Sequence, residues 1–225
     1  MKITDEIFQV GGSGLTSPED AAIYLICFDG HAALVDAGCG NSPDRLLANI
    51  GSHGVLPEQI KCLLLTHCHF DHTGGAAFLR EHLGCHVVMH ESDARFLEDG
   101  NSSVTAASWY GACIKSCTVD RKISGSREDI FLGNRSIQAI HIPGHSPGSL
   151  AFFTESCGLK VLFGQDVHGP LSPALLSSES HYRKSLELLL SLEADILCEG
   201  HYGVFRGKEA VAKFIRSFLN RQCQN

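Results

Sequence analysis

Histidine and aspartate side chains that could bind metal ions are concentrated in one short segment of this sequence. Three of its 13 histidines, His67, His69 and His72, lie within six residues, and Asp71 stands between the last two. In an extended chain alternate side chains share a face, so His67 and His69 can converge on one cation while Asp71 and His72 face a second point. The ordinary alternative is that Asp71 caps a helix and His69 faces solvent. The spacing favours a metal site.

Three more residues of these types follow short apolar runs later in the chain. They are His145 after AIHIPG, Asp166 after VLFGQ and His201 after ILCEG. Taken singly, a histidine of this kind is more often structural and an aspartate more often a turn residue. The hypothesis of a metal centre therefore rests on the ordered combination of all seven residues.

That combination resembles the metallo-β-lactamase superfamily, whose pattern is H-x-H-x-D-H, then H, then D, then H. The resemblance implies an α/β fold, the αββα sandwich of two mixed β sheets with helices outside and the metals at one edge. It implies that His67, His69 and His145 hold one metal, that Asp71, His72 and His201 hold a second, and that Asp166 bridges them. Asp36, in the VDAG stretch, matches the family's partner of a ligand histidine, although a turn-forming role is the alternative.

The same resemblance implies a hydrolase with two divalent cations, with zinc expected and iron or manganese as alternatives. A hydroxide bridging the two metals, with Asp71 among the catalytic residues, would attack a small ester, thioester or lactone without a protein nucleophile. The main alternative is a persulfide dioxygenase of the superfamily, which binds a single iron. An inactive scaffold and a nuclease are weaker alternatives.

Two residues beside the predicted ligands depart from the common family pattern. Gln165 stands where many relatives have Gly before the bridging Asp, and Tyr202 where many have Gly after the last His. Tyr202 is predicted to hydrogen-bond a developing oxyanion, with packing in the pocket wall as the alternative. His168 is predicted to line the cleft and carry protons, with a surface position as the alternative.

Periodicity places these residues among alternating strands and helices. The sequence predicts strands in residues 6–10, 21–28, 31–38, 61–66, 86–89, 136–144, 149–155, 159–166 and 194–200. It predicts helices from Ser42-Pro43, over 76–83, from Glu91 or Ser92 to about residue 100, over 179–192, and after Gly207. These elements are assigned to one domain, residues 1–225.

Residues 101–128 break this rhythm and are predicted to form an inserted lid. The segment contains Trp109 beside Tyr110, and its basic residues are Lys115, Arg121, Lys122 and Arg127. It could cover the metal cleft and hold an anionic substrate, or it could pack its aromatic rings inward and expose its charges.

Composition excludes several classes of protein. The 225 residues include 18 Lys and Arg against 25 Asp and Glu, a formal net charge of −7, which argues against a nucleic-acid partner. There is neither a signal-peptide pattern nor an apolar run of membrane-spanning length, so a cytoplasmic protein with a small-molecule substrate is expected. The ten cysteines have irregular spacing and mostly apolar neighbours, which predicts buried thiols without chemistry. Monomer and homodimer both remain open.

Overall fold

Two six-stranded mixed β sheets form the centre of the computed structural model, which describes residues 1–221. The strands of the first sheet, β1 to β6, lie in sequence order, and those of the second follow the order β12-β11-β10-β9-β8-β7. The first sheet contains β1 Ile7–Gly11, β2 Ile23–Phe28, β3 His31–Val35, β4 Ile60–Leu64, β5 His86–His90 and β6 Arg121–Ile123. The second contains β7 Arg127–Leu132, β8 Arg135–His141, β9 Leu150–Ser156, β10 Leu159–Gln165, β11 Ile196–Glu199 and β12 Val204–Arg206.

Helices cover the outer face of each sheet. The first sheet carries α1 Pro43–Gly51, the short α2 Phe70–Thr73, α3 Ala76–Leu83 and α4 Glu91–Glu98, and the second carries α5 Glu179–Ser191 and α6 Lys208–Arg221. Pro43 suits the first turn of α1 because it needs no backbone donor there. The left-handed Gly84 ends α3.

The alternation of side chains along the strands builds three apolar layers. On β2, Leu25 packs against the helices of the first sheet, while Tyr24 and Ile26 face the second sheet. On β10, Leu162 packs against the helices of the second sheet and Phe163 against the first sheet. Strands buried on both faces explain the near-continuous apolar runs of the sequence. The architecture is the predicted αββα sandwich.

Every predicted strand and helix is present, and α2, β6, β7 and β12 are additional elements that the sequence did not predict. The segment 101–128 is not wholly separate from the sheets. Only its first part is irregular, because Arg121–Ile123 is the edge strand of the first sheet and Arg127 begins the edge strand of the second. Three-residue strands such as β6 and β12 carry too little periodicity to be predicted.

The cysteines lie in varied surroundings. Five of the nine described cysteines are buried, while Cys113 and Cys157 are exposed, which corrects the prediction for those two. Cys223 lies outside the described residues. Among residues 1–221, no helix is long and apolar enough to span a bilayer.

Candidate metal centre

The seven predicted ligands come together at one edge of the sandwich. His67 follows β4, Asp166 follows β10 and His201 lies two residues after β11, while His145 lies in the loop between β8 and β9. Because β3 and β4 are parallel, as are β10 and β11, the carboxyl ends of strands from both sheets meet at this edge.

The first set of ligand atoms consists of three histidines. The donor atoms of His67, His69 and His145 lie within 4.8 Å of one another. Their Nε2 atoms are buried, and none has a hydrogen-bond partner among the described residues. Buried polar atoms are normally paired, so three converging bare nitrogens fit a bound cation.

The second set consists of two carboxylates and two histidines, Asp71, His72, Asp166 and His201, with donor atoms also within 4.8 Å. Asp166 links the two sets, because its Oδ2 lies 3.4 Å from His145 Nε2 and its Oδ1 lies 3.1 Å from His72 Nε2. Mixed carboxylate and imidazole donors suit zinc, iron and manganese.

Hydrogen bonds on the far side of the rings fix their orientation. His72 Nδ1 lies 2.7 Å from Asp36 Oδ2, which is the contact expected if Asp36 is the partner of a ligand histidine. His145 Nδ1 lies 2.9 Å from the carbonyl oxygen of Pro170. Proton donation from Nδ1 leaves the Nε2 lone pair available to a cation.

Asp36 also reaches the first set through a hydroxyl group. Thr66 Oγ1 lies 2.9 Å from Asp36 Oδ2 and 3.0 Å from His67 Nδ1. Asp36 has a left-handed backbone, φ 64°, which places its carboxylate behind both sets.

The two sets differ in their electrostatics. Burial, followed by the neighbouring imidazoles, holds the pKa of His67 and His69 well below the usual value, so these rings stay neutral. Burial opposes protonation of His201, but its hydrogen bonds to Asp166 and Asp71 raise its pKa to about 10. Burial also disfavours the charged form of Asp166, yet His72 and the other histidines hold its pKa well below the usual value. A cation at the second set would replace protons held between carboxylates and imidazoles.

A model of the metallo-beta-lactamase superfamily matches residues 16–201. The chain belongs to this superfamily. The match spans all seven ligand positions, so the order of histidines and aspartates that defines the two sets falls within the matched region.

Several proteins of known sequence share this likeness. The chain is 37% identical to a hydroxyacylglutathione hydrolase of Anaeromyxobacter dehalogenans, over 59% of this chain and 41% of that protein. It is 27% identical to the acyl-coenzyme A thioesterase MBLAC2 of Gallus gallus, over 96% of this chain and 84% of that protein. The first four such relatives are covered over only 41% to 65% of their own length.

Solved structures of the superfamily share the fold. A metallo-beta-lactamase with the HARLDQ motif from Cronobacter sakazakii superposes with a TM-score of 0.82 at 20% identity, over 99% of this chain and 93% of that chain. The metallo-beta-lactamase GOB-18 from Elizabethkingia meningoseptica superposes with a TM-score of 0.80 at 24% identity, over 100% of this chain and 92% of that chain. At these identities the likeness shows the fold alone.

A cleft of about 210 Å³ opens onto the two sets of candidate ligands. Trp109 and Tyr110 form part of its wall, and Ala106, Pro170 and Leu175 complete its apolar lining. Tyr110 also packs against Phe70, with ring centroids 5.5 Å apart. Burial, and then the Asp71 carboxylate, raises the pKa of Tyr110, so its hydroxyl remains a neutral donor.

The basic residues of segment 101–128 do not line this cleft. Lys115 pairs with Glu81 and Lys122 with Glu98, at N···O distances of 3.2 and 2.7 Å. Arg121 pairs with Glu128 at 3.3 Å. Trp109 and Tyr110 therefore lie where the lid hypothesis expects the aromatic pair, whereas Lys115, Arg121 and Lys122 pair with surface acidic residues outside the cleft. The role of the segment as a lid stays a prediction.

His168 also lines the cleft, as predicted, and its role as a proton carrier stays a prediction. Its Nδ1 lies 2.8 Å from Oε1 of Glu199, a fully buried carboxylate. Glu199 Oε2 accepts the backbone N–H groups of His201 and Tyr202. Glu199 was not singled out from the sequence, since a carboxylate at the end of an apolar strand carries no distinctive spacing.

The two departures from the family pattern lie outside the residues that line the cleft. Tyr202 is 59% exposed, and its ring packs against His168 and Phe218. This position agrees better with packing, and the catalytic role of Tyr202 stays a prediction. Gln165 is buried with a left-handed backbone, φ 51°.

Proposed function

We propose that this protein hydrolyses a small ester, thioester or lactone at a centre of two divalent cations. The observation that carries the proposal is the pair of ligand sets, joined through Asp166 and opening onto one cleft. Such adjacent sites are the arrangement that two-metal hydrolases use.

The residues divide between the two cations as follows. His67, His69 and His145 would hold one, Asp71, His72 and His201 the other, and Asp166 would bridge them. Zinc is the proposed metal because imidazole and carboxylate are its usual ligands, and iron or manganese would accept the same donors.

When bound, the two cations would polarise the scissile carbonyl group and lower the pKa of a water molecule, so that no protein nucleophile is required. The protein's own contribution is orientation. Asp36 and the carbonyl of Pro170 hold the rings of His72 and His145 through their Nδ1 atoms. Tyr110 and His168 line the cleft, where each could donate a hydrogen bond to the substrate.

A thioester with an apolar acyl group is the substrate class we favour. Both relatives described above carry names of thioester hydrolases. The cleft is smaller than typical ligand pockets of roughly 300–1,000 Å³, and the rings of Trp109 and Tyr110 suit a short apolar group. The proposed partner is therefore a small molecule.

The test begins with the metal content of protein purified without chelator, after growth in zinc-supplemented and in iron-supplemented medium. Two equivalents of a divalent metal and chelator-sensitive hydrolysis of matched thioester, ester and lactone substrates are expected. A variant with His67, Asp71 and His145 all changed to Ala should lose turnover. Retained turnover in that variant would contradict the proposal.

The same preparation distinguishes the proposed hydrolase from the alternative, a persulfide dioxygenase. One equivalent of iron, together with oxygen consumption on glutathione persulfide, would replace the hydrolase proposal. Absence of oxygen consumption in the iron-grown protein would remove the alternative.

A further inference from the structure

A fully buried carboxylate, Asp93, lies behind the three-histidine set and belongs to neither ligand set. It stands in the first turn of α4. Its Oδ2 accepts the backbone N–H of Cys68 at 3.0 Å and the hydroxyl of Ser146 at 2.6 Å. Its Oδ1 accepts the backbone N–H of Gly148 at 2.6 Å.

These three donors belong to the two loops that carry the three histidines. Cys68 lies between His67 and His69, in the loop after β4 of the first sheet, and Ser146 follows His145, in the loop between β8 and β9 of the second sheet. One backbone hydrogen bond, from Leu150 N–H to the carbonyl of Thr66, also joins the loops. Asp93 adds three charge-assisted bonds, which are stronger than neutral ones.

Gly148 packs so closely against Asp93 that no side chain can be accommodated at residue 148. A Cβ atom on Gly148 would lie 2.7 Å from both the Cγ and the backbone nitrogen of Asp93, so glycine is required there. The Ser146 hydroxyl is held in turn, because it lies 2.8 Å from Ser149 Oγ, which also accepts the Ser146 N–H. A charge buried this deeply is costly unless its hydrogen bonds are complete, and here each oxygen has a donor.

We propose that Asp93 is a positioning residue for the three-histidine set, fixing the distance between the His67–His69 loop and the His145 loop. This inference rests on the proposed two-metal function, and it concerns the affinity of one of the two sets. Asp36 contacts the second set directly, whereas Asp93 acts only through the backbone and side chain of residues next to the first set.

The decisive variant is Asp93→Asn, which keeps the shape but has one acceptor oxygen. In either orientation its NH₂ group faces a backbone N–H, at Cys68 or at Gly148, so at least one of the hydrogen bonds that join the loops is replaced by a contact between two donors. Substitution of a residue that hydrogen-bonds to a metal-binding group typically lowers the metal affinity about 10- to 100-fold. We expect a decrease of this size in the affinity for one of the two zinc equivalents, measured by competition with a chromophoric chelator. Ser146→Ala, which removes one bond without adding a donor, should give a smaller loss.

Asp93→Asn is combined with each of two further substitutions to identify the ligand set whose zinc affinity is lowered. His201→Ala disables the second set, and there Asp93→Asn should weaken the remaining equivalent. His69→Ala disables the first set, and there Asp93→Asn should leave the remaining equivalent unchanged. Asp120→Asn is the control, since Asp120 also accepts a backbone N–H, from Val87, and its other partner, Arg80, lies outside both loops.

Equal affinity in Asp93→Asn and the parent protein, or an equal loss in both backgrounds, would overturn the inference. If Asp93→Asn fails to fold, Ser146→Ala carries the same comparison. Failure of the proposed function is distinguishable, because it would show as fewer than two zinc equivalents in the parent protein.

Discussion

Asp36 Oδ2 lies 2.7 Å from Nδ1 of His72, and this contact joins two elements that are 36 residues apart in the chain. Both groups are buried, at 3% and 0% exposure. The carboxylate also accepts the N–H of Thr66, at 2.8 Å. One aspartate at the end of β3 therefore organises the loop that carries four of the seven candidate ligands.

Asp36→Asn should weaken metal binding about 10- to 100-fold, because the amide is a poorer acceptor for the His72 ring proton. The measurement is zinc affinity by chelator competition, with turnover recorded in parallel. The exposed Asp44→Asn is the control and should match the parent protein. Unchanged zinc affinity in Asp36→Asn would show that the contact has no influence on the metal.

Gly200→Ala should disrupt the bridging position. A Cβ at residue 200 would overlap Oδ1 of Asp166 and lie 3.1 Å from Cε1 of His72. We expect loss of at least one zinc equivalent and of most turnover, while the fold, followed by circular dichroism, is retained. Gly51→Ala has open space around the new methyl group and should keep both equivalents. Full occupancy in Gly200→Ala would contradict the assignment of Asp166.

His90 should make the protein less stable in acid. Its ring is buried and stacks on His141 at 3.8 Å, and burial, followed by His141, lowers its pKa to about 4. Between about pH 6.5 and pH 4 the unfolded chain binds a proton that the folded chain does not, so stability falls as pH falls, by at most about 1.4 kcal/mol per pH unit.

The test is urea unfolding at pH 7 and pH 5. His90→Asn does not titrate and can still cap α4 through its side-chain oxygen, so its loss of stability over this range should be smaller. His86→Asn, at an exposed position, is the control for the loss of one histidine. An identical loss in His90→Asn would remove His90 from the explanation.

Trp109→Ala should raise KM by roughly 2- to 10-fold for a thioester with an aromatic acyl group, the range expected for one lost aromatic contact. An acetyl thioester should be affected less, since it does not reach the ring. Phe131→Ala removes an aromatic side chain that is 70% exposed on the edge strand β7, and its kinetics should be unchanged. Equal effects of Trp109→Ala on both substrates would argue against an acyl-binding wall.

Tyr110→Phe should lower kcat/KM by about 2- to 10-fold, because the hydroxyl at the cleft wall can donate to the substrate. Tyr202→Phe is the matched variant for the tyrosine singled out from the sequence. Its exposed position predicts a smaller effect. A larger loss in Tyr202→Phe would support Tyr202, and not Tyr110, as the catalytic tyrosine.

The sequence by itself determined the layers and the ligand types. Buried strands such as β4 and β10 appear as apolar runs, since burial on both faces leaves no polar alternation, and α3 matches its predicted bounds. The candidate ligands stand out because the segments that carry them follow such runs and because their order is that of the superfamily. These signals are local, so short windows of sequence contain them.

Only the tertiary structure decided which side chains stand behind and around the ligands. Asp93 and Glu199 look like ordinary helix-start and strand-end residues, and their role depends on contacts with loops up to 55 residues away. Trp109 lines the cleft, whereas Lys115 forms an ion pair with Glu81. The position of each side chain depends on neighbours that only the folded chain supplies. Hydrogen bonds between distant segments leave no periodicity in the sequence. They are defined only once the chain has folded, and therefore only the tertiary structure shows them.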